Sequence, residues 1–229
     1  MEIRIDSLLE GAERAEGTAV IIDAYRAFTT AAIAFSRGVR KIVLVAEVDE
    51  ARDLLRRGLA DVSVGEVDGI MPEGFDFGNS PFELSRANLE GKVLVQRTSA
   101  GTVGVSAATN AERIFAGSLV TANATAQVIL QSAPDLVTIV AMGDGGRTRT
   151  DEDELCALYI RNLLQGRAPD RDAVRSLVLA GEQSQKYGDP RFPHFHAGDR
   201  EIAVQVDSFS FAIPVRRENG LLVARSEAV

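Results

Sequence analysis

Five short polar segments carry acidic, arginine and small hydroxyl residues in spacings that suit an organic phosphate bound beside a hard cation. The first runs from Ile22 to Thr30 (IDAYRAFTT). Asp23 closes an apolar run, where its carboxylate can hold a cation through oxygen. Arg26 offers a planar fork that matches phosphate or sulfonate. Thr29 and Thr30 open the next helix, whose first N–H groups favour an anion. An Asp–Arg ion pair beside a helix cap would use the same residues without chemistry, so both readings stand at this point. The second segment is Gly65–Gly69 (GEVDG), where Glu66 is either an acid–base or metal-binding carboxylate or part of a glycine-shaped turn.

The third segment, Glu73–Glu83 (EGFDFGNSPFE), has the most unusual composition. Its glycines permit positive φ, so that N–H groups can converge on an anion. Asp76 adds a carboxylate, and Asn79 and Ser80 add neutral hydrogen-bonding groups. Ser80 is equally able to cap a short helix begun by Pro81. The fourth segment is Thr98–Thr102 (TSAGT), with Thr98, Ser99, Gly101 and Thr102 placed as a phosphate cradle between a strand and a helix. It lacks the G-x-x-x-x-G-K-[ST] pattern of a Walker loop.

The fifth joins Gly143–Gly146 (GDGG) to Thr150–Cys156 (TDEDELC). Asp144 follows the strongest apolar strand and is a third candidate metal ligand beside Asp23 and Asp76. Thr150 and Asp153 have capping-box spacing. Glu152 and Cys156 are four apart and share a helix face. Cys156 reads as a small buried residue rather than a nucleophile. His194 and His196 are the only histidines and read as loop residues, so neither a histidine metal site nor a Ser-His-Asp set is legible.

These segments need a scaffold that brings strand ends together. Apolar runs at Thr18–Asp23, Lys41–Ala46, Val62–Gly65, Lys92–Gln96 and Leu136–Met142 predict buried strands. Helical patterns fall between or after them at Thr29–Arg37, Val48–Arg57, Val103–Ala108, Ala124–Gln131 and Asp151–Leu164. This alternation predicts a three-layer α/β/α fold with a mostly parallel or mixed sheet. Ligands of such sheets bind beyond the carboxyl ends of the strands, where the five segments lie. Phe211–Val215 and Leu221–Ala224 flank Glu218-Asn219-Gly220, a hairpin signal placed here as an antiparallel edge.

Composition narrows the function. The chain of 229 residues suits one α/β domain over 1–229, or two small lobes, and 45% hydrophobic residues suffice for a core. Lys and Arg number 25 against 33 Asp and Glu, and the net charge of -8 disfavours nucleic-acid binding. A small anion is still compatible with that charge, because a few local groups dominate inside a cleft. No apolar run is long enough to span a bilayer, and the start MEIRIDSLLEGAE has no signal-peptide plan. The single cysteine precludes an intrachain disulfide. A cytoplasmic protein is expected, and whether it forms a homo-oligomer is left open.

The order I-D-x-x-R-A-x-T-T, E-G-F-D-x-G-N-S-P-x-E, T-x-x-G-T and G-x-G before E-D-x-x-C resembles the 2-phosphosulfolactate phosphatase family from Asp23 to about Cys156. The resemblance implies a three-layer α/β fold and Mg2+-dependent hydrolysis of 2-phosphosulfolactate to sulfolactate, a step in coenzyme M biosynthesis. It makes Asp23, Arg26, Asp76, Asn79, Ser80, Thr98, Gly101, Thr102 and Asp144 pocket positions. The chain departs from the family pattern at Ala100, where an Asn is expected, at Val67, where an Arg often stands, and at Tyr25 and Phe28. The lost Asn and Arg bear on anion recognition.

The expected site therefore has Mg2+ on Asp23, Asp76 and Asp144. Arg26, Asn79, Ser80 and the Thr98–Thr102 loop bind the phosphate or sulfonate, and Glu66 or Asp76 orients a water. Direct water attack and an aspartyl-phosphate both remain open. The alternatives are a non-catalytic anion-binding protein on the same fold, or a phosphatase with another small substrate.

Overall fold

The structure, a computed structural model, describes residues 1–229. Strands β1 (Glu2–Ser7), β2 (Gly17–Ile22), β3 (Lys41–Val45), β4 (Val62–Gly65), β5 (Val93–Arg97), β6 (Ala111–Gly117) and β7 (Leu136–Ala141) are followed late in the chain by β8 (Phe211–Ala212), β9 (Pro214–Glu218), β10 (Leu221–Ala224) and β11 (Glu227–Ala228). Helices α1 (Leu8–Glu13), α2 (Ala27–Ser36), α3 (Val48–Arg56), α4 (Pro81–Leu84), α5 (Gly101–Ala107), α6 (Ala122–Ser132), α7 (Asp151–Leu164), α8 (Arg171–Ala180) and α9 (Ala197–Ala203) complete the chain. None is long and apolar enough to cross a membrane.

Nine strands form one mixed sheet in the order β1-β7-β2-β6-β9-β10-β3-β5-β4. Its two faces are legible in alternate residues. On β2, Ala19 and Ile21 pack with α2 and α5, while Val20 and Ile22 pack with α6 and α7. On β3, Ile42 and Leu44 join the first of these cores, and Val43 and Val45 pack against Ala51 and Leu54 of α3. A strand with period-two side chains and apolar residues at every position must be covered on both sides. The result is the expected three-layer α/β/α arrangement.

The hairpin β9–β10 is present, but it is central rather than at an edge. It joins β6 on one side and β3 on the other, with every pairing antiparallel. Val215, Leu222, Val223 and Ala224 are buried there. The parallel sets β1-β7-β2-β6 and β3-β5-β4 thus run in opposite senses along the ladder. Even so, residues at the carboxyl ends of both sets, Asp23 and Asp144 from one and Glu66 and Ser99 from the other, line one cavity. The β6–β9 junction is held by just two register pairs.

Local signals explain several element ends. Glu47 and Glu50 form a reciprocal capping box at the start of α3. Thr150 and Asp153 do not, because Asp153 turns inward instead. Its two carboxylate oxygens accept Ala24 N and Gly143 N, each at 2.8 Å, which ties the ends of β2 and β7 to the start of α7.

Candidate active site

The carboxyl ends of β2, β4, β5 and β7 surround one polar cavity. Asp23, Arg26, Glu66, Asn79, Ser99, Ala100, Asp144 and Glu152 all line it, and Lys186, Tyr187 and Phe195 close it from the late part of the chain. Five acidic groups (Asp23, Glu66, Asp68, Asp144, Glu152) and two cationic ones (Arg26, Lys186) border it.

Asp23 stands at the end of β2, where the strand's continuous apolar run stops. It is 5% exposed. Its Oδ1 accepts Ala27 N at 3.0 Å and its Oδ2 accepts Gly101 N at 2.8 Å. Burial pushes its carboxyl up to about 6, the two N–H groups oppose that shift, and the charge of Glu66 adds to it. Glu152 projects into the same cavity from the first turn of α7. It is 4% exposed, and its Oε2 has no hydrogen-bond partner. Burial raises it to about 7, with the Asp23 charge contributing. Asn79 Oδ1 is a second buried oxygen without a partner on this cavity.

The Thr98–Thr102 loop is organised inward. Thr98 N donates to Thr102 Oγ1 at 2.8 Å, and Thr102 N donates to Thr98 Oγ1 at 3.1 Å. Both threonines are fully buried and neither lines the cavity. The amides expected to cradle phosphate hold carboxylates instead. Ser99 N donates to Glu66 Oε1, and Gly101 N to Asp23. Ser99 Oγ and Gly69 N donate to the other oxygen of Glu66, so this carboxylate pins two loops to each other. The cavity wall here is Ser99 and Ala100.

Two other expected positions lie outside. Asp76 is exposed, and its Oδ2 accepts both the N–H and the hydroxyl of Ser63 at 2.8 Å. That pairing folds the Gly74–Gly78 turn back onto β4 and takes the carboxylate away from Asp23 and Asp144. Ser80 caps α4 by accepting Glu83 N, and it donates to Asp199. A capping hydroxyl must face its own helix, so Ser80 borders the site from behind. Asp144 lines the mouth and pairs with Lys186 at 3.2 Å.

Arg26 is 3% exposed and only partly committed to the protein. Its Nη1 donates to the His194 carbonyl at 2.8 Å and to Asp199 Oδ2 at 3.1 Å. Its other guanidinium nitrogens have no protein acceptor, and the group borders the cavity. The Phe195 ring lies beneath it, with its centroid 4.7 Å from the guanidinium carbon. The loop around the histidines thus contributes through its backbone and aromatic rings. His196 caps α9 and stacks on Phe82.

Sequence reasoning missed Lys186, Tyr187, Phe195 and Asp199. They sit in a glycine- and proline-punctuated stretch without periodicity, which offered no signal for them.

No three acidic, histidine or cysteine side chains converge as a ready metal-ligand group. The donor set nonetheless fits Mg2+. That ion keeps several waters and takes one or two protein carboxylates plus phosphate oxygens. Asp23 and Glu152 are a mutually repelling buried pair with raised protonation, and the partnerless Glu152 Oε2 and Asn79 Oδ1 are hard oxygen donors.

A family model described as 2-phosphosulpholactate phosphatase matches residues 4–190. A Bacillus subtilis protein named "Probable 2-phosphosulfolactate phosphatase" is 31% identical over 202 residues, 87% of each chain. Proteins of the same name from Caldicellulosiruptor saccharolyticus and Clostridium acetobutylicum are 37% and 35% identical. Each covers 66% of this chain, against 64% and 63% of the relatives.

Proposed function

The chain belongs to the 2-phosphosulfolactate phosphatase family, and from that premise we propose that it is a Mg2+-dependent phosphatase releasing phosphate from 2-phosphosulfolactate. The observation that carries this reading is one polar cavity lined both by the buried oxygen donors Asp23, Glu152 and Asn79 and by the guanidinium of Arg26. A polyanionic substrate would be repelled by a cavity bordered by five acids and two cations unless a divalent cation came with it.

Asp23, Glu152 and Asn79 Oδ1 are the residues that would hold Mg2+, with Asp144 at the mouth beside them. When bound, the ion supplies charge neutralisation and polarisation of the phosphoryl oxygens. Arg26 binds those oxygens through the edge of its fork that has no protein acceptor, and it stabilises the charge spread over them as the ester bond breaks. Lys186 offers the second cation for the sulfonate or carboxylate end. Glu66 holds the Ser99 and Gly69 loops in place around the leaving group. With a single cysteine the chain needs no intrachain disulfide, which suits the reducing cytoplasm in which we place the enzyme.

A phosphatase with a related small substrate is the second reading. The two departures that bear on anion recognition lie at or beside this cavity. Ala100 lines it, and Val67 stands between two residues that do. The test is phosphate release from 2-phosphosulfolactate and a panel of phosphorylated hydroxy acids, with Mg2+ and with EDTA. Release from 2-phosphosulfolactate that EDTA abolishes and Mg2+ restores is expected. A faster rate on another hydroxy acid moves the substrate, and binding without release on any of them reduces the protein to an anion binder.

A further inference from the structure

Asp199 lies beyond the residues that the family model covers. It is wholly buried in α9, at 0% exposure, and it does not line the cavity. Its Oδ2 takes Arg26 Nη1 at 3.1 Å, and its Oδ1 accepts Ser80 Oγ and, at 3.1 Å, Phe82 N. One carboxylate therefore joins the turn after β2, the start of α4 and α9. The same stretch grips the surroundings twice more. His196 stacks on Phe82 with ring centroids 4.0 Å apart. Gly198 lies so close beneath Phe82 that a Cβ would sit 2.3 Å from the ring.

Arg26 Nη1 is thus held by two acceptors from the 194–199 stretch, and Phe195 supports the plane of the guanidinium. An unrestrained arginine samples many rotamers, and fixing the fork before the anion arrives removes that ordering cost from binding. We propose that Asp199 is a positioning residue for turnover, holding Arg26 so that the unpaired edge of its guanidinium faces the phosphoryl group. The proposal rests on the reading that Arg26 meets the phosphate. A purely electrostatic role for Asp199 predicts the opposite sign. Its negative charge would then weaken anion binding, and removing it would tighten binding.

The test is a double-mutant cycle of Asp199→Asn and Arg26→Lys, measured as kcat/KM on 2-phosphosulfolactate and as inorganic phosphate affinity by calorimetry, with Tm recorded for each variant. Asp199→Asn keeps an oxygen for Ser80 and Phe82 but turns an NH2 toward Arg26. In the wild-type background it is expected to lower kcat/KM by about tenfold to a hundredfold, with phosphate affinity falling in parallel. In the Arg26→Lys background the same change is expected to cost less than about twofold, since the fork it positions is gone. An equal loss in both backgrounds, no loss, or tighter phosphate binding overturns the proposal. If Asp199→Asn does not fold, Ser80→Ala removes only the hydroxyl that braces Oδ1. The same cycle then applies with a smaller loss, and additivity is again the refuting outcome. If Arg26→Lys alone changes neither turnover nor phosphate affinity, the anion reading of Arg26 fails. If Arg26→Lys matters and the cycle shows no coupling, only the role of Asp199 fails. Should 2-phosphosulfolactate not turn over, the calorimetric arm still measures the coupling.

Discussion

Gly101 N donates to Asp23 Oδ2 at 2.8 Å, and a Cβ on residue 101 would stand 2.9 Å from that same oxygen. The loop after β5 therefore reaches the end of β2 only because residue 101 has no side chain. The contact welds the two parallel halves of the sheet where they meet at the cavity.

Gly101→Ala tests that weld. The added methyl also meets Ala27 Cβ at 2.9 Å, so the loop must retreat from Asp23. Overpacking of this kind typically costs about 1–3 kcal/mol. A lower Tm and a turnover reduced by at least about tenfold are expected, with KM for Mg2+ raised. Unchanged turnover in a folded variant would detach the Gly101–Asp23 contact from the site.

The pH dependence of stability has a defined sign. Asp23 is raised to about 6 and Glu152 to about 7 by burial, from ordinary values of 3.8 and 4.5. The folded state thus binds more protons than the unfolded one across this window, so stability falls as pH rises from about 4 through 7, and Asp153, raised by burial as well, adds to the fall. In EDTA, Tm should be higher at pH 5 than at pH 8 by roughly 4–8 °C, the equivalent of about 2 kcal/mol for a chain of this size. Mg2+ bound as proposed would favour the ionised pair, so it should raise Tm at pH 8 far more than at pH 5. A Tm difference of opposite sign in EDTA, or a Mg2+ shift equal at both pH values, would contradict the assignment of these two carboxylates.

Cys156 supplies a control for the chemistry. It is wholly buried on the inner face of α7 and does not border the cavity, and burial holds its thiol well above the ordinary range. Cys156→Ser places a hydroxyl in an apolar setting and should lower stability by about 1–3 kcal/mol. Turnover per folded molecule should stay within about twofold of wild type. A well-folded but inactive variant would bring the thiol into the mechanism.

Asp68→Asn tests the charge balance at the mouth. Asp68 is exposed and borders the cavity, and its backbone N–H rather than its carboxylate makes the contact to Ser99. Removing one negative charge there should lower KM for a polyanionic substrate by roughly twofold at low salt, and the gain should shrink as ionic strength rises. Steady-state kinetics at two salt concentrations would show it, and a salt-independent change would point to a different cause.

The sequence by itself determined that β2, β3, β4, β5 and β7 exist and are buried, because uninterrupted apolar runs leave them no solvent face. It also determined that Asp23, Glu66, Ser99 and Asp144 stand at strand ends, where a polar residue following such a run must leave the core. Tertiary structure alone decided the rest. Hydrophobic periodicity reports whether a strand is covered, not which strand lies beside it, so the β9–β10 hairpin read as an edge while it occupies the centre. Loops and the first turns of helices carry no period of their own, so nothing in the spacing told that Asp76 would turn to Ser63, that Thr98 and Thr102 would satisfy each other, or that Glu152 would face the cavity and Asp153 the ends of β2 and β7. The hold of Asp199 on Arg26 joins residues 173 positions apart. A buried charge pair of that separation is fixed only when the whole chain closes around it.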